Sequence, residues 1–390
     1  MYIWRVKYPY LREFAKNFLP PVLADYFRNR QSIRNSNAFN EHKWDNLLLN
    51  ANSAGIQVDE HLKIIVKDYL ASSDFSNTSK YWKHLTQLHL GDLVNFGLEN
   101  YGKNVARHYF SWADYNDKKI GNIEFSTKES KSLLEILKIH PGFSASASFK
   151  HNTLIELVFR HLLNSDLLEE LGQVKLTGYK FGSHPFLQYQ NQFLTLDLLT
   201  SFLEYRSLNH HLKFSENSKP ILEIGAGSGR FAEIFMNFNG ANKYVIADIP
   251  PALFISFKRL QLIYPEKRII YVSDKLSLNS YVESEEWDII FILPWLLKHF
   301  PQKFFKIAIA IDCLHEMADK QRGFLINMAE SKSENFYLKV WDETYLPLDN
   351  IKLDIRNQKH YFTKPHWKVV FSNSCVFPGD YKEICYEFSK

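Results

Sequence analysis

The residues with the clearest capacity for chemistry lie together at 312 to 316, where Asp312, Cys313, Leu314, His315 and Glu316 follow an apolar run over 306 to 312. A hydroxyl is a poor nucleophile until it loses its proton. An imidazole that titrates near neutrality can take that proton if held within hydrogen-bond reach, and a neighbouring carboxylate can fix its tautomer and stabilise the charged form. His315 is thus a candidate general base, with Asp312 and Glu316 as the nearby acids. The plain alternative is a polar residue capping the helix that follows.

A second set precedes it in the chain. Ile221-Leu222-Glu223-Ile224 reads as a buried strand running into Gly225-Ala226-Gly227-Ser228-Gly229, after which Phe231, Ile234, Phe235 and Phe238 recur at helical spacing. Strand, glycine turn and helix make a nucleotide-binding unit, in which glycines let the backbone approach a ligand and the helix start offers unpaired amides. The dinucleotide fingerprint Gly-x-Gly-x-x-Gly would need its third glycine at Arg230, so that ligand is disfavoured. About twenty residues on, Lys243 to Asp248 is another buried run ending in an acid, the place where nucleotide folds bind ribose hydroxyls. The alternative for Asp248 is a helix cap before Pro250 and Pro251.

The pattern Glu223-x-Gly225-Ala226-Gly227-x-Gly229 resembles the first motif of the class I S-adenosylmethionine-dependent methyltransferases. The stretch from Asp312 to Asp319 is similar to the Cys-His-Asp-Trp-Ser-Asp segment of small-molecule O-methyltransferases related to the plant phenolic enzymes. His315 falls on that family's histidine base and Glu316 on the acid after it. Asp248-Ile249-Pro250 matches the family's Asp-Leu-Pro, and Glu343-Thr344-Tyr345-Leu346-Pro347 matches its Glu-x-x-Leu-Pro, whose glutamate orients the histidine. The C-terminal part, His-Glu-Met included, also resembles sugar O-methyltransferases of bacterial surface-polysaccharide clusters. The resemblance implies S-adenosylmethionine as cofactor, bound by Glu223, Gly225, Ala226, Gly227, Gly229, Asp248 and Ile249. It also implies catalysis by His315 with Glu343 or Asp312 as its orienter. In one respect the chain departs from the family. Two runs, Arg268 to Val272 and Trp287 to Leu293, compete for the single strand expected before the active-site strand. The residue facing the adenine is Asp274 on one alignment and Pro294 or Trp295 on the other, and the shorter distance to the next motif favours the second.

These residues need a scaffold. From 220 onward, short apolar runs alternate with helices (220 to 224, 243 to 248, 268 to 272, 287 to 293, 306 to 312 and 335 to 341), the mark of a parallel sheet with helices on its faces. Trp367 to Phe371 and Tyr381 to Phe388 read as a closing antiparallel hairpin. The expected fold is therefore α/β: a Rossmann-like, mostly parallel class I methyltransferase sheet at 213–390, ending in that hairpin. Residues 1–212 are expected to form a helical domain serving substrate binding and self-association, with helices at 61–70, 80–100, 130–138, 153–171 and 193–212 and loops at 72–79 and 140–148. Its aromatics, among them Tyr81, Trp82, Tyr101, Tyr109, Phe110, Trp112 and Tyr115, are core or walls of an acceptor pocket. His360, Tyr361, His366 and Trp367 form a second polar-aromatic group that could line it.

Composition sets the outer bounds. A chain of 390 residues with 45% apolar and 23% charged residues suits a two-domain globular protein. A net charge of +4 with no long basic stripe argues against nucleic acid. The cysteines Cys313, Cys375 and Cys385 show neither paired nor metal-ligand spacing, which fits a reducing, cytoplasmic setting without a metal. Neither a signal peptide nor a transmembrane span is expected. Residues 1–34, however, carry seven basic side chains against two acidic ones, with Leu11, Phe14, Ala15, Phe18 and Leu19 on one helical face. That is either a peripheral membrane contact or a surface helix docked on its own domain. The expected activity is methyl transfer to a hydroxyl of a sugar or glycan precursor. A phenolic or polyketide acceptor, a nicotinamide oxidoreductase and a non-catalytic cofactor-binding protein are its rivals.

Overall fold

The computed structural model describes residues 39–100, 147–165, 167–172, 187–189, 192–214, 219–239, 243–346 and 349–388. The basic arm at 1–34, the aromatics from Tyr101 to Tyr115, the helix expected at 130–138 and Pro347 lie outside them.

In chain order the helices are α1 (Glu41–Ser53), α2 (Glu60–Ala71), α3 (Ser73–Asn77), α4 (Lys80–Phe96), α5 (Ala147–Asn164), α6 (Leu168–Gly172), α7 (Leu196–Leu212), α8 (Arg230–Phe238), α9 (Ala252–Ile263), α10 (Lys275–Ser284) and α11 (Asp319–Lys332). The strands are β1 (Leu187–Tyr189), β2 (Gln192–Leu194), β3 (Ile221–Ile224), β4 (Tyr244–Ala247), β5 (Ile269–Val272), β6 (Ile289–Ile292), β7 (Phe305–Ile311), β8 (Ser333–Trp341), β9 (Glu343–Leu346), β10 (Ile351–Asp354), β11 (Lys368–Ser374) and β12 (Tyr381–Glu387).

Eight strands form one sheet in the order β11-β12-β8-β7-β3-β4-β6-β5. Its strands from β3 to β8 are parallel, and β12 runs antiparallel to both β8 and β11. The expected mostly parallel, Rossmann-like sheet with an antiparallel C-terminal hairpin is therefore present. Its central strands, Ile-Leu-Glu-Ile in β3, Tyr-Val-Ile-Ala in β4 and Ile-Ile-Phe-Ile in β6, are buried at every position. A sheet covered by helices on both faces requires such buried, mainly apolar runs, broken here only by Glu223, and β-branched side chains fit its pleat.

The expected boundary after residue 212 is crossed by packing. Helix α7 is buried almost all round, and Tyr205 stacks on Phe238 of α8 at 4.7 Å and 11°. One continuous buried cluster runs from Phe39 through α2, α5 and α7 to α8, α9 and one face of the sheet. The other face, with α11, has its own cluster. Local departures from expectation are helix α1, helix α3 inside the supposed loop at 72–79, the short antiparallel pairs β1–β2 and β9–β10, and the division of the helix expected at 153–171 into α5 and α6. The added elements are short or largely polar, so their apolar spacing is weak. Among the described residues no helix is long and apolar enough to cross a membrane. Nor do three or more of their His, Cys, Asp or Glu side chains gather as a metal site would need.

Candidate functional site

The chain leaves β3 for β4 on one side, while β7 pairs with β3 on the other. In open α/β sheets this reversal opens a crevice at the carboxyl ends of the strands, where ligands bind. Here it brings the glycine turn and the 312–316 segment together. Cys313 Sγ donates to the Ile224 carbonyl at 3.2 Å. Gly225 has φ +70°, and a β-carbon there would lie 2.6 Å from Cys313 Cβ, so only glycine lets the two strand ends approach. At Gly229, φ is +75° and an added β-carbon would meet Ser256 Cβ of α9 at 3.1 Å. Gly227, also at positive φ, donates its N–H to Asp248 Oδ2 at 2.9 Å.

Asp248 thus sits at the end of β4 with its carboxylate aimed into the turn, its other oxygen taking the Ile249 N–H at 2.7 Å. Burial pushes its pKa up to about 7, against the pull of those two N–H groups. Glu223 accepts from Tyr244 Oη at 2.8 Å, and burial raises it to about 8. Ala226 and Ile249 are buried beside them. Arg230 donates to Ser201 Oγ at 2.6 Å and to Glu204 Oε2 at 2.9 Å, while its charge still reaches Glu223 and Asp312. The turn therefore offers carboxyl and backbone N–H groups, and the arginines beside it are paired elsewhere: Arg230 with Glu204 of α7, and Arg259 of α9, which also donates to Ser228 O and Oγ at 3.2 and 3.1 Å, with Glu233.

Both competing strands exist, and β6, not β5, adjoins β4. Pro294 and Trp295 open the 3₁₀ turn after β6, next to the strand that carries Asp248, and Trp295 N–H is received by Asp74 of α3 at 3.0 Å. Burial raises Asp74 to about 6. Asp274 follows the edge strand β5, where its carboxylate caps α10 by accepting from Leu276 and Ser277 N–H. The structure does not bring it to the glycine turn.

At the end of β7, Asp312 has φ +57°, a left-handed conformation that aspartate tolerates better than most residues. Its side chain keeps 31% exposure, so it is open to solvent where the neighbouring His315 is not. Tyr381 Oη of β12 donates to Oδ1 at 2.5 Å, and burial raises the acid to about 6. His315 is 0% exposed. Its ring stacks on Trp341 at 4.9 Å, neither nitrogen makes a hydrogen bond, and Nε2 lies 3.5 Å from Asp312 Oδ1. Burial, with help from Arg322, pushes its pKa down to about 3. Glu316 accepts from Trp82 Nε1 at 3.0 Å; burial and Asp312 raise its pKa well above the carboxylate range. Glu343 is not brought to His315: its side chain is 72% exposed and pairs with Arg356 at 2.6 Å.

Helix α4 supplies the facing wall. Asp349, in the β9–β10 connection, accepts from Lys80 and Tyr81 N–H at 2.8 and 3.0 Å, fixing the helix start that carries Tyr81 and Trp82. Tyr81 feels the charge of Glu316 and Asp312, which raises its pKa well above normal. Tyr381, Glu204 and Lys339 were not legible as site neighbours, because nothing local marks a residue whose partner lies many strands away. The 360–367 group serves packing instead: Trp367 Nε1 bonds Glu330 at 2.9 Å, His360 Nδ1 receives Asp354 N–H at 2.8 Å, and Tyr361 is buried.

No family model and no curated protein matches this chain. Solved structures resemble it distantly. The 1,6-didemethyltoxoflavin-N1-methyltransferase of Burkholderia thailandensis is 12% identical over 64% of this chain and 93% of its own, with a TM-score of 0.36. The magnesium protoporphyrin IX methyltransferase of Synechocystis PCC 6803 is 10% identical over 60% and 98%, with a TM-score of 0.35. The mitomycin 7-O-methyltransferase is 9% identical over 67% and 66%, with a TM-score of 0.34.

Proposed function

We propose that this chain is an S-adenosylmethionine-dependent O-methyltransferase whose acceptor is a hydroxyl of a sugar or glycan precursor. The observation that carries the reading is the set of side chains around the crevice. The carboxyl groups of Glu223, Asp248, Asp312 and Glu316 gather around the glycine turn and the neighbouring strand end, and the guanidinium of Arg230 is bonded to Glu204 and to none of them. Carboxyl groups bonded to no cation give a pyrophosphate no counter-ion and offer acceptors to a ligand that bears a sulfonium, an ammonium and a ribose diol. Asp248 would take the ribose hydroxyls, Pro294 and Trp295 the adenine, and the turn from Gly225 to Gly229 the amino-acid end. Bound there, the cofactor supplies an activated methyl carbon; the chain holds the acceptor and removes its proton.

The acceptor side supports a polyhydroxylated molecule. Asp312 and Glu316 provide acceptors for hydroxyl groups, and Tyr81 and Trp82 provide rings against which a sugar face can lie, whereas a phenolic acceptor would favour a mainly apolar wall. Proton removal falls to the Asp312–His315 pair at the end of β7, beside the turn.

Calorimetric titration with S-adenosylmethionine and, separately, NADH tests the cofactor, with Gly227→Arg as control. Binding of the first alone, lost in the control, is expected; binding of NADH alone would replace the reading by hydride transfer. Transfer of labelled methyl to nucleotide-activated hexoses, compared with catechols, tests the acceptor.

A further inference from the structure

The family resemblance points to the histidine as base, and the enclosure of that histidine argues otherwise. A general base must come within roughly 2.6–3.2 Å of the proton it removes. His315 has no exposed surface, its face is covered by Trp341 and its edge by Tyr381. Of the two, an acceptor arriving from solvent meets Asp312, whose side chain is 31% exposed and whose Oδ1 stands 3.5 Å from His315 Nε2. We infer, on the methyltransferase reading above, that the Asp312 carboxylate is the group that takes the acceptor's proton, and that His315 is a positioning residue behind it.

Three features fit this assignment. The left-handed backbone at Asp312 and its pairing to Lys339 O through its own N–H at 2.8 Å turn the side chain off the end of β7 toward the crevice. Tyr381 fixes Oδ1 by its 2.5 Å hydrogen bond, leaving Oδ2 for the acceptor. The two unpartnered nitrogens of a fully buried imidazole are a cost that a native fold rarely bears without use. With the proton on Nε2, the neutral ring can donate to Asp312 and steady its ionised form. The charged and titratable groups around Asp312 are Tyr381 on β12, Lys339 on β8, Arg230 on α8, Glu204 on α7, Tyr81 on α4, and Cys313, His315 and Glu316 on its own segment. Burial outweighs the two cations and leaves the acid titrating near neutrality, where a base is most effective.

The proton balance closes. The acceptor oxygen loses its proton to Asp312 as it bonds the methyl carbon, and the pair of the broken carbon–sulfur bond stays on sulfur. A carboxylate and a sulfonium are consumed, and a carboxylic acid and a thioether result.

The test is a carbon-13 titration of aspartate carboxyls, with nitrogen-15 spectra of histidine, on the full chain with S-adenosylhomocysteine. One carboxyl signal, absent in Asp312→Asn, should titrate between about pH 5 and 8, while the His315 ring stays neutral throughout. His315→Phe keeps the stacking on Trp341 but removes the nitrogens, and should move the Asp312 midpoint upward without changing S-adenosylhomocysteine affinity. An Asp312 signal that stays ionised over the whole range, a His315 ring that gains a proton in it, or a His315→Phe variant with an unmoved midpoint would overturn the inference. Failure of S-adenosylhomocysteine to bind the unaltered chain would instead remove the methyltransferase reading on which it rests.

Discussion

Two clusters of buried carboxylates lie a few side chains apart and are treated in opposite ways. Around Glu204 the charges close on themselves: Arg230 and Lys339 each bond its carboxylate, at 2.9 and 2.8 Å, and although burial works against ionisation the two cations hold its pKa below normal. Around Asp312 no side-chain cation makes contact; tyrosine and tryptophan hydroxyl and N–H groups bond Asp312 and Glu316, and burial raises both. The first arrangement satisfies every group and faces inward. The second leaves its acids short of partners on the side of the crevice. Acids that a fold strands in this way are candidates for binding and proton transfer, whereas a closed ion triad holds elements together.

The sharpest way to break the contrast is to neutralise one acid in each cluster. Glu204→Gln leaves two buried cations without their counter-ion and should cost about 3–5 kcal/mol. Asp312→Asn removes an acid that burial already destabilises and should cost no more than about 1 kcal/mol. Denaturant melts of the two variants compare them directly. Equal losses would mean that the Asp312 cluster is as structural as the other.

Much of the Asp312 side of this contrast was readable in the chain. Gly225, Gly227, Gly229, Asp248 and the 312–316 segment are local patterns of spacing and type, and the structure gathers them at one end of the sheet. The mainly apolar runs likewise gave the parallel strands, because a strand covered on both faces has no room for polar alternation. Glu204 was not readable. It belongs to a helix assigned to the N-terminal half, and its meaning comes from Arg230 and Lys339, which only the fold brings near. Glu343 shows the converse. Its motif matched, yet its side chain points to solvent and Arg356, since a match in sequence does not fix the direction of a side chain at a strand end. The runs of β5 and β6 competed for one place, distance to the next motif favoured β6, and the sheet sets β6 beside β4.

Asp248 offers the next largest effect. Its ionised form is the one that can accept two ribose hydroxyls, and burial raises its pKa to about 7. Below that pH the cofactor must displace a proton, so the Kd for S-adenosylhomocysteine should rise by up to about tenfold per pH unit. Calorimetry in buffers of different ionisation heat would show proton release. Asp248→Asn should bind weakly and without this slope; an unchanged slope would assign it to another acid.

On the acceptor side, Trp82→Phe keeps an aromatic ring, though a smaller one, and removes the N–H that bonds Glu316. The helix start stays fixed by Asp349, so the expected loss is about 1 kcal/mol, with Glu316 pushed further toward its protonated form. If the variant instead proves several kcal/mol less stable, Trp82 is core and not a wall of the acceptor pocket.

The smallest effect tests the raised cluster as a whole. Asp74, Asp248 and Asp312, with pKa values near 6, 7 and 6, and Glu223, near 8, all lie above their unfolded values of about 4. Between the unfolded and folded values the native chain holds protons that the unfolded chain has released, so stability rises as pH falls from 8.5 toward 6.5. His315 acts in the other direction: with a folded value near 3, its contribution is complete above about 6.5 and is lost below it. Without ligand, Tm should therefore be highest slightly above pH 6 and should exceed its value at pH 8.5 by about 2 °C. Saturating S-adenosylhomocysteine should shrink that difference, because it favours ionised Asp248. A Tm that falls steadily from pH 8.5 to 6.5 would show that the acids of the crevice are solvated and that the two clusters differ only in their partners.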